Sequence, residues 1–171
     1  KQFLYPEFYN KLKSILPKIK WKKEFHPINC SYNYCNSNTN PNSKINQIKE
    51  LEELSKDKDF RELLTIITGK QVKNKLNLTI QSFGWKNYTI INDESIEEPG
   101  VDIIIDLTEE WNDEWGGNIV LVDGSGDYTD ISHAPNTLTI INRKKAEHKF
   151  VKKVNHLSGN KKRMFMVASL K

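Results

Sequence analysis

The segment LTEEWNDEWGGNIVLVD, residues 107–123, holds two tryptophans and a glycine pair between apolar runs. The run VDIIIDL leads into it at residues 101–107, and NIVLVD closes it at residues 118–123. Short apolar runs bounded by turn residues are typical of buried β-strands. The sequence therefore predicts a strand, a loop carrying Trp111 and Trp115, and a second strand.

The hydrophobic pattern changes from a helical period to a short period after Gly69. The predicted helices lie at residues 3–16, 46–54 and 59–68. Asp59 is the predicted N-cap of the last helix, and Gly69 its C-terminal stop. The following residues form short β-prone runs separated by glycine and proline turns. We therefore expect one α+β domain with a sandwich or jelly-roll barrel, in which residues 1–75 are mainly helical flank and loop and residues 76–171 form the core.

The composition is that of a globular domain, with 171 residues, 37% hydrophobic and 28% charged. No apolar run reaches the roughly 20 residues of a membrane helix, and we expect a cytoplasmic location.

Cys30 and Cys35 lie in one polar segment; two reduced thiols are favoured, while a local disulfide stays open. Residues 143–163 are strongly basic within a chain of net charge +4. A solvated face explains this run better than an anion or nucleic-acid site.

Several motifs in fixed order are similar to those of prolyl-hydroxylase-like 2-oxoglutarate/Fe(II) oxygenases. The EWGG of residues 114–117 resembles the family's strand–loop–strand signature. The other similar segments are DFRELLTIITG (59–69), GWKNYTIINDE (84–94), APNTLTII (134–141), EHKFVKKV (147–154) and RMFMVAS (163–169). The resemblance implies a double-stranded β-helix, which is a jelly roll, with N-terminal flanking helices.

The resemblance also implies positions for a chemical site. In the family, two histidines and one carboxylate bind Fe(II), and a basic residue on a later strand pairs with 2-oxoglutarate. His148 occupies the position of the second histidine, and Arg163 that of the 2-oxoglutarate anchor. Asn92 stands where the first histidine is expected, and Glu94 where the aspartate is expected.

These departures fall on the residues that carry the chemistry. The carboxamide of Asn92 is a far poorer Fe(II) ligand than an imidazole, because it offers a weak oxygen donor without net charge. Glu94 keeps the charge of aspartate but adds a methylene in a site that is sensitive to geometry. Phe165 puts a ring where the family usually has serine. The resemblance therefore implies an incomplete iron site.

Three functions remain open on this sequence. The favoured one is a non-catalytic binding, regulatory or accessory subunit, partnered by an active paralogue or another protein, in which Arg163 still holds 2-oxoglutarate or another small anion. The alternative is an active Fe(II)- and 2-oxoglutarate-dependent hydroxylase of a prolyl or small-molecule substrate, using His148, Glu94 and either Asn92 or Asp93. The weakest is an RNA- or anion-associated protein. Independently of activity, we expect buried side chains at Ile103, Ile105, Trp115, Leu121 and Ile140.

Overall fold

The structure is a computed structural model that describes residues 3–28, 30–36, 53, 56–69, 71–72, 78–90 and 99–170. The two principal helices are α1 (Pro6–Ile15) and α2 (Lys58–Thr68). The strands are β1 (Lys22–His26), β2 (Cys30–Asn36), β3 (Thr79–Phe83), β4 (Tyr88–Thr89), β5 (Gly100–Asp106), β6 (Ile119–Val122), β7 (Tyr128–Ile131), β8 (Leu138–Arg143), β9 (His148–Val151) and β10 (Arg163–Leu170). The predicted helix at residues 46–54 falls almost wholly outside the described residues.

The strands form two antiparallel sheets. The larger, seven-stranded sheet has the order β1-β2-β3-β10-β5-β8, with β4 paired to β2, and the smaller sheet has the order β7-β6-β9. Strands β3 and β5 are far apart in the chain, but β10 lies between them and pairs with both. Two facing antiparallel sheets behind an N-terminal helix confirm the predicted α+β jelly roll.

Strand β5 divides its side chains between the two faces of the large sheet. Ile103 and Ile105 are buried on the face that packs against the helical flank. Ile104 points the opposite way, into an apolar cluster that joins the two sheets. Side chains alternate along a strand, so Asp102 and Asp106 share the inner face with Ile104. The barrel interior therefore contains two carboxylates from a single strand.

The helical flank is fixed by capping and by one buried amide. Asn136 accepts a hydrogen bond from Leu4 N at 2.8 Å and donates one to Leu4 O at 2.7 Å, which holds the start of the described chain on the barrel. At the start of α2, Asp57 accepts from Phe60 N at 2.8 Å. The predicted N-cap at Asp59 is wrong, because the helix begins at Lys58 and places Asp59 inside the first turn. The predicted stop at Gly69 is confirmed by its left-handed conformation.

The expected core is confirmed in part. Ile103 and Ile105 are buried, whereas Leu121, Ile140 and Trp115 are only partly buried. Trp115 meets Trp111 edge to face, with ring centroids 5.3 Å apart, and the Lys161 ammonium lies over its ring. Trp115 is thus a rim residue of the core, since one of its sides is covered by a flexible cation.

Both cysteines lie on β2, and Cys30 is a free thiol. An extended strand advances about 3.3 Å per residue, so five residues separate the two Cα atoms by roughly 16 Å. A disulfide needs Cα atoms closer than about 7 Å. The geometry of β2 therefore excludes the local disulfide that the sequence left open. Among the described residues, no helix has the length and apolar character needed to cross a membrane.

Candidate functional site

A cavity of about 300 Å³ lies between the two sheets of the barrel. The large sheet contributes Gln81, Ile104, Val167 and Ser169 to its walls, and the small sheet contributes Ile119, Lys149, Phe150 and Val151. Thr89 and Ile90 close one side. Since both sheets supply its lining, the cavity is part of the barrel interior.

Lys149 is the positively charged residue among the described residues that line this cavity. It lies opposite Leu121 in the β6–β9 pairing, and cross-strand partners share a face. Leu121 packs into the cluster between the sheets, so Lys149 also points inward. Its Nζ donates to Asp102 Oδ2 at 2.7 Å, and 18% of its side chain remains exposed. An ammonium group therefore bridges from the small sheet to the large sheet.

Asp102 is fully buried and receives several donors. Besides Lys149, Arg143 Nη1 donates to Oδ2 at 2.5 Å, and Ser169 Oγ donates to Oδ1 at 2.6 Å. Burial alone would raise the pKa of this carboxyl, but the charge of Lys149 and the hydrogen bonds from Lys149, Ser169 and Arg143 outweigh it and lower the pKa. Asp102 therefore stays ionised inside the barrel.

Arg163, at the start of β10, belongs to a second buried pair. Only 1% of its side chain is exposed. Its Nη1 donates to Asp106 Oδ1 and, at 2.8 Å, to Thr108 Oγ1, and its guanidinium lies 4.4 Å from the centroid of the Phe165 ring. Its Nε has no hydrogen-bond partner among the described residues. The guanidinium is thus held by the protein's own carboxylate.

The Asp106 carboxylate is saturated by further groups. Its Oδ1 accepts from Thr108 N, and its Oδ2 accepts from Ala134 N, both at 3.0 Å. His133 Nδ1 lies 3.1 Å from Oδ2, and the His133 side chain is nearly buried. Asp106 therefore ties the end of β5 to the loop before β8 as well as to Arg163.

The EWGG segment packs directly on Arg163. A Cβ added to Gly117 would lie 3.3 Å from Arg163 Cβ and 3.2 Å from the Trp111 ring. Gly116 has φ +79°, and a Cβ there would lie 2.2 Å from Lys153 O. Trp111 Nε1 donates to Gly116 O at 2.8 Å. Glycine is required because a side chain would meet the Lys153 backbone at Gly116, and the Trp111 ring and the aliphatic part of Arg163 at Gly117.

Over residues 1–169 the sequence matches the protein family described as "Oxoglutarate and iron-dependent oxygenase degradation C-term". The chain belongs to this family. The predicted resemblance to 2-oxoglutarate/Fe(II) oxygenases is thereby confirmed. No curated protein matches the sequence.

Solved oxygenases share the fold of this family member at low sequence identity. A prolyl-4-hydroxylase of Pseudomonas putida matches with a TM-score of 0.72 and 10% identity, covering 99% of this chain and 89% of that one. A prolyl hydroxylase of Trichoplax adhaerens, solved with a hypoxia inducible factor peptide fragment, has a TM-score of 0.71 and 13% identity, with coverages of 99% and 80%. The viral collagen prolyl hydroxylase of Paramecium Bursaria Chlorella virus-1 has a TM-score of 0.60 and 12% identity, with coverages of 99% and 92%. At such identities these likenesses show the fold alone.

The site residues predicted from the sequence have different positions in the structure. Asn92 and Glu94 lie outside the described residues. His148 begins β9 opposite Val122, on the face away from Lys149, and Arg163 is paired with Asp106. The metal role of the first three residues and the anchor role of Arg163 stay predictions.

Sequence reasoning missed the residues that dominate the barrel interior. Asp102 and Asp106 lie four residues apart in the apolar run VDIIIDL. The alternation of side chains along a strand therefore predicts both carboxylates on the same face of the sheet. Lys149 gave no such signal, because it lies within a basic run and next to the more conspicuous His148. Its inward direction follows only from the β6–β9 register.

The described residues of the cavity do not fit a divalent cation. No group of three or more histidine, cysteine, aspartate or glutamate side chains in the described part of the chain could hold a metal ion. The ammonium of Lys149 at the cavity would repel Fe(II), and Asp102 is already shared among three donors. Asp106 and Thr108 already take the Nη1 donors of Arg163, whereas its Nε has no partner among the described residues.

The basic run at residues 143–163 contains nine lysine and arginine side chains, and just over half of them are paired with carboxylates within the fold. Five of its cations contact carboxylates: Arg143 and Lys149 contact Asp102, Lys152 contacts Asp130, Lys161 contacts Glu110, and Arg163 contacts Asp106. A nucleic-acid site needs cations that are available to phosphates. The pairing therefore favours a structural role for this segment.

Proposed function

We propose that this chain is a non-catalytic member of the oxygenase family, acting as a binding, regulatory or accessory domain. The observation that carries the proposal is the contact between Lys149 and Asp102 inside the barrel. An inward-facing ammonium places a positive charge in the barrel interior, whereas a catalytic member of the family needs a bound metal cation. Like charges repel strongly in a partly desolvated site, so this ammonium disfavours a divalent cation in the cavity.

The pairing of Arg163 with Asp106 supports the same conclusion. A bidentate guanidinium–carboxylate contact is the usual way to hold a dicarboxylate cosubstrate. Here Nη1 of Arg163 donates to the Asp106 carboxylate, and the EWGG loop packs on the aliphatic part of the Arg163 side chain. The oxygenase signature is therefore retained for packing. The proposed partner is an active paralogue or another protein whose activity this domain regulates.

Titration calorimetry with Mn(II), an oxygen-stable substitute for Fe(II), tests the proposal with and without 2-oxoglutarate. We expect no tight one-to-one metal site in the parent chain. The double variant Asn92→His with Glu94→Asp should gain little affinity while Lys149 remains. The triple variant with Lys149→His added should gain more, and Lys145→His on the exposed turn is the matched control.

A tight Mn(II) site in the parent chain would refute the proposal and support the alternative hydroxylase. One observation favours that alternative: Ile90, just before the segment that contains Asn92 and Glu94, lines the cavity. The hydroxylase hypothesis expects the parent chain to convert 2-oxoglutarate to succinate when Fe(II), ascorbate and oxygen are supplied. It also expects Glu94→Ala and His148→Ala to abolish that conversion.

A further inference from the structure

We propose that the barrel cavity binds a small aliphatic monocarboxylate without a metal, with the ligand's carboxylate on Lys149. This inference rests on the proposed function, since it takes the cavity to be free of iron chemistry. It adds a ligand class and a binding residue that the family's chemistry does not include.

The cavity walls select the tail of the ligand. Five aliphatic side chains face the space: Ile90, Ile104, Ile119, Val151 and Val167. A volume of about 300 Å³ lies at the small end of the range of ligand-binding pockets. Burial of a short branched alkyl chain against these walls is favourable because it removes apolar surface from water.

Two polar side chains of the cavity wall, Lys149 and Thr89, determine which polar head group a ligand can have. An ammonium has three N–H donors, and the contact with Asp102 uses one of them. The contact also holds the Lys149 side chain between the sheets. Thr89 Oγ1 accepts from Val151 N at 2.7 Å, and a hydroxyl that accepts one hydrogen bond can donate another. Lys149 and Thr89 thus both present hydrogen-bond donors at the cavity wall.

The same geometry disfavours a dicarboxylate. Among the described lining residues, Lys149 supplies the positive charge, Ile104 and Val167 are aliphatic and Gln81 is neutral. Burial of a second carboxylate without a cation is costly. Arg163 is not among the residues that line this cavity, and its Nη1 donates to Asp106 and Thr108. We therefore expect isovalerate to bind more tightly than succinate or 2-oxoglutarate.

Methyl NMR of the full chain tests the inference, with isoleucine and valine methyl groups labelled and EDTA present to remove metals. Isovalerate should produce saturable shifts at Ile104, Ile119 and Val167, while methyl groups of Val72 and Val101 on the helical face of the sheet stay in place. Lys149→Met should weaken binding by about tenfold or more, as expected for loss of a charge-assisted hydrogen bond. Lys145→Met, on the exposed turn, should bind like the parent.

Two further measurements keep the test decisive. Isovaleramide has the same shape without the charge and should bind at least about tenfold more weakly. Val167→Phe fills the cavity without removing a charged group, so it should abolish the shifts even if Lys149→Met fails to fold. The inference is overturned by an absence of isovalerate shifts in the parent, by equal binding of the amide, or by full binding in Val167→Phe. Tight Mn(II) binding without EDTA would overturn the proposed function separately.

Discussion

Asp106 and Arg163 join adjacent strands of the large sheet through a buried carboxylate–guanidinium pair. Asp106 ends β5 opposite Phe165, and Arg163 lies two residues earlier on β10, on the same face as Phe165. The pair sits beneath the EWGG loop and beside His133. It links two loops to the sheet, the one after β5 and the one before β8, and gives Arg163 a counter-charge within the protein.

Removing the charge of Asp106 should destabilise the protein strongly. Asp106→Asn keeps the volume of the side chain but leaves Arg163 as a buried cation without a carboxylate. Breaking a buried ion pair from one side costs roughly 3 to 5 kcal/mol of unfolding free energy. Urea denaturation measures this cost, and Glu62→Gln on the exposed face of α2 is the control. A cost near that of the control would show that Arg163 does not depend on Asp106.

Acidification should reduce stability through Asp102. The pKa of this carboxyl is lower in the folded state than in the unfolded chain, so the unfolded chain binds the proton more readily. The resulting stabilisation is complete above the unfolded pKa, which is near 4, and it is lost as the pH falls through the folded pKa. Urea unfolding between pH 7 and pH 3 should show this decline. Asp102→Asn should flatten the low-pH part of the profile, and an unchanged slope would contradict the assignment.

Gly116 should tolerate alanine far less well than Gly126, although both have positive φ. A methyl group at Gly116 collides with Lys153 O, whereas one at Gly126 meets nothing within 4 Å. Gly126→Ala should cost only the backbone strain of about 1 to 2 kcal/mol. Gly116→Ala should cost about 3 kcal/mol or more, because backbone must also move. Thermal unfolding of the two variants gives the comparison, and equal melting temperatures would argue against the close approach.

Trp111→Ala should cost more stability than Trp115→Ala. Trp111 packs against the inter-sheet cluster and donates to Gly116 O, while Trp115 lies at the rim under Lys161. A fully packed tryptophan costs about 3 to 5 kcal/mol on truncation, and we expect Trp111 near the low end and Trp115 below it. The double variant should reveal a coupling of about 0.5 to 1.5 kcal/mol for the edge-to-face pair. The reverse order would place Trp115 in the core instead.

The fold was predictable because each of its signals is local in the sequence. The change from helical to alternating periodicity, the turn residues and the EWGG segment together predict a jelly roll behind helices. The N-cap of α2 was predicted wrongly because two nearby aspartates were candidates for it. Asp57 and Asp59 can both cap a helix, and only the position of Phe60 N decides between them.

The interior of the site was less predictable, because pairing across the barrel joins residues far apart in the chain. Lys149 meets Asp102 across 47 positions, and Arg163 meets Asp106 across 57. A shift of one residue in β9 exchanges His148 for Lys149 on the inner face. The order of the motifs directs attention to β9, but the register of that strand determines that Lys149, and not His148, points into the barrel.

The central position of β10 constrains the order of assembly during synthesis. Residues 163–170 are made after every other strand described, yet they join β3 to β5. Until β10 is synthesised, the edges of β3 and β5 that pair with it stay unpaired, and unpaired strand edges can pair with other chains. Pairings so distant in sequence slow folding and lengthen that exposure. From this strand order we expect the nascent protein to depend on chaperones.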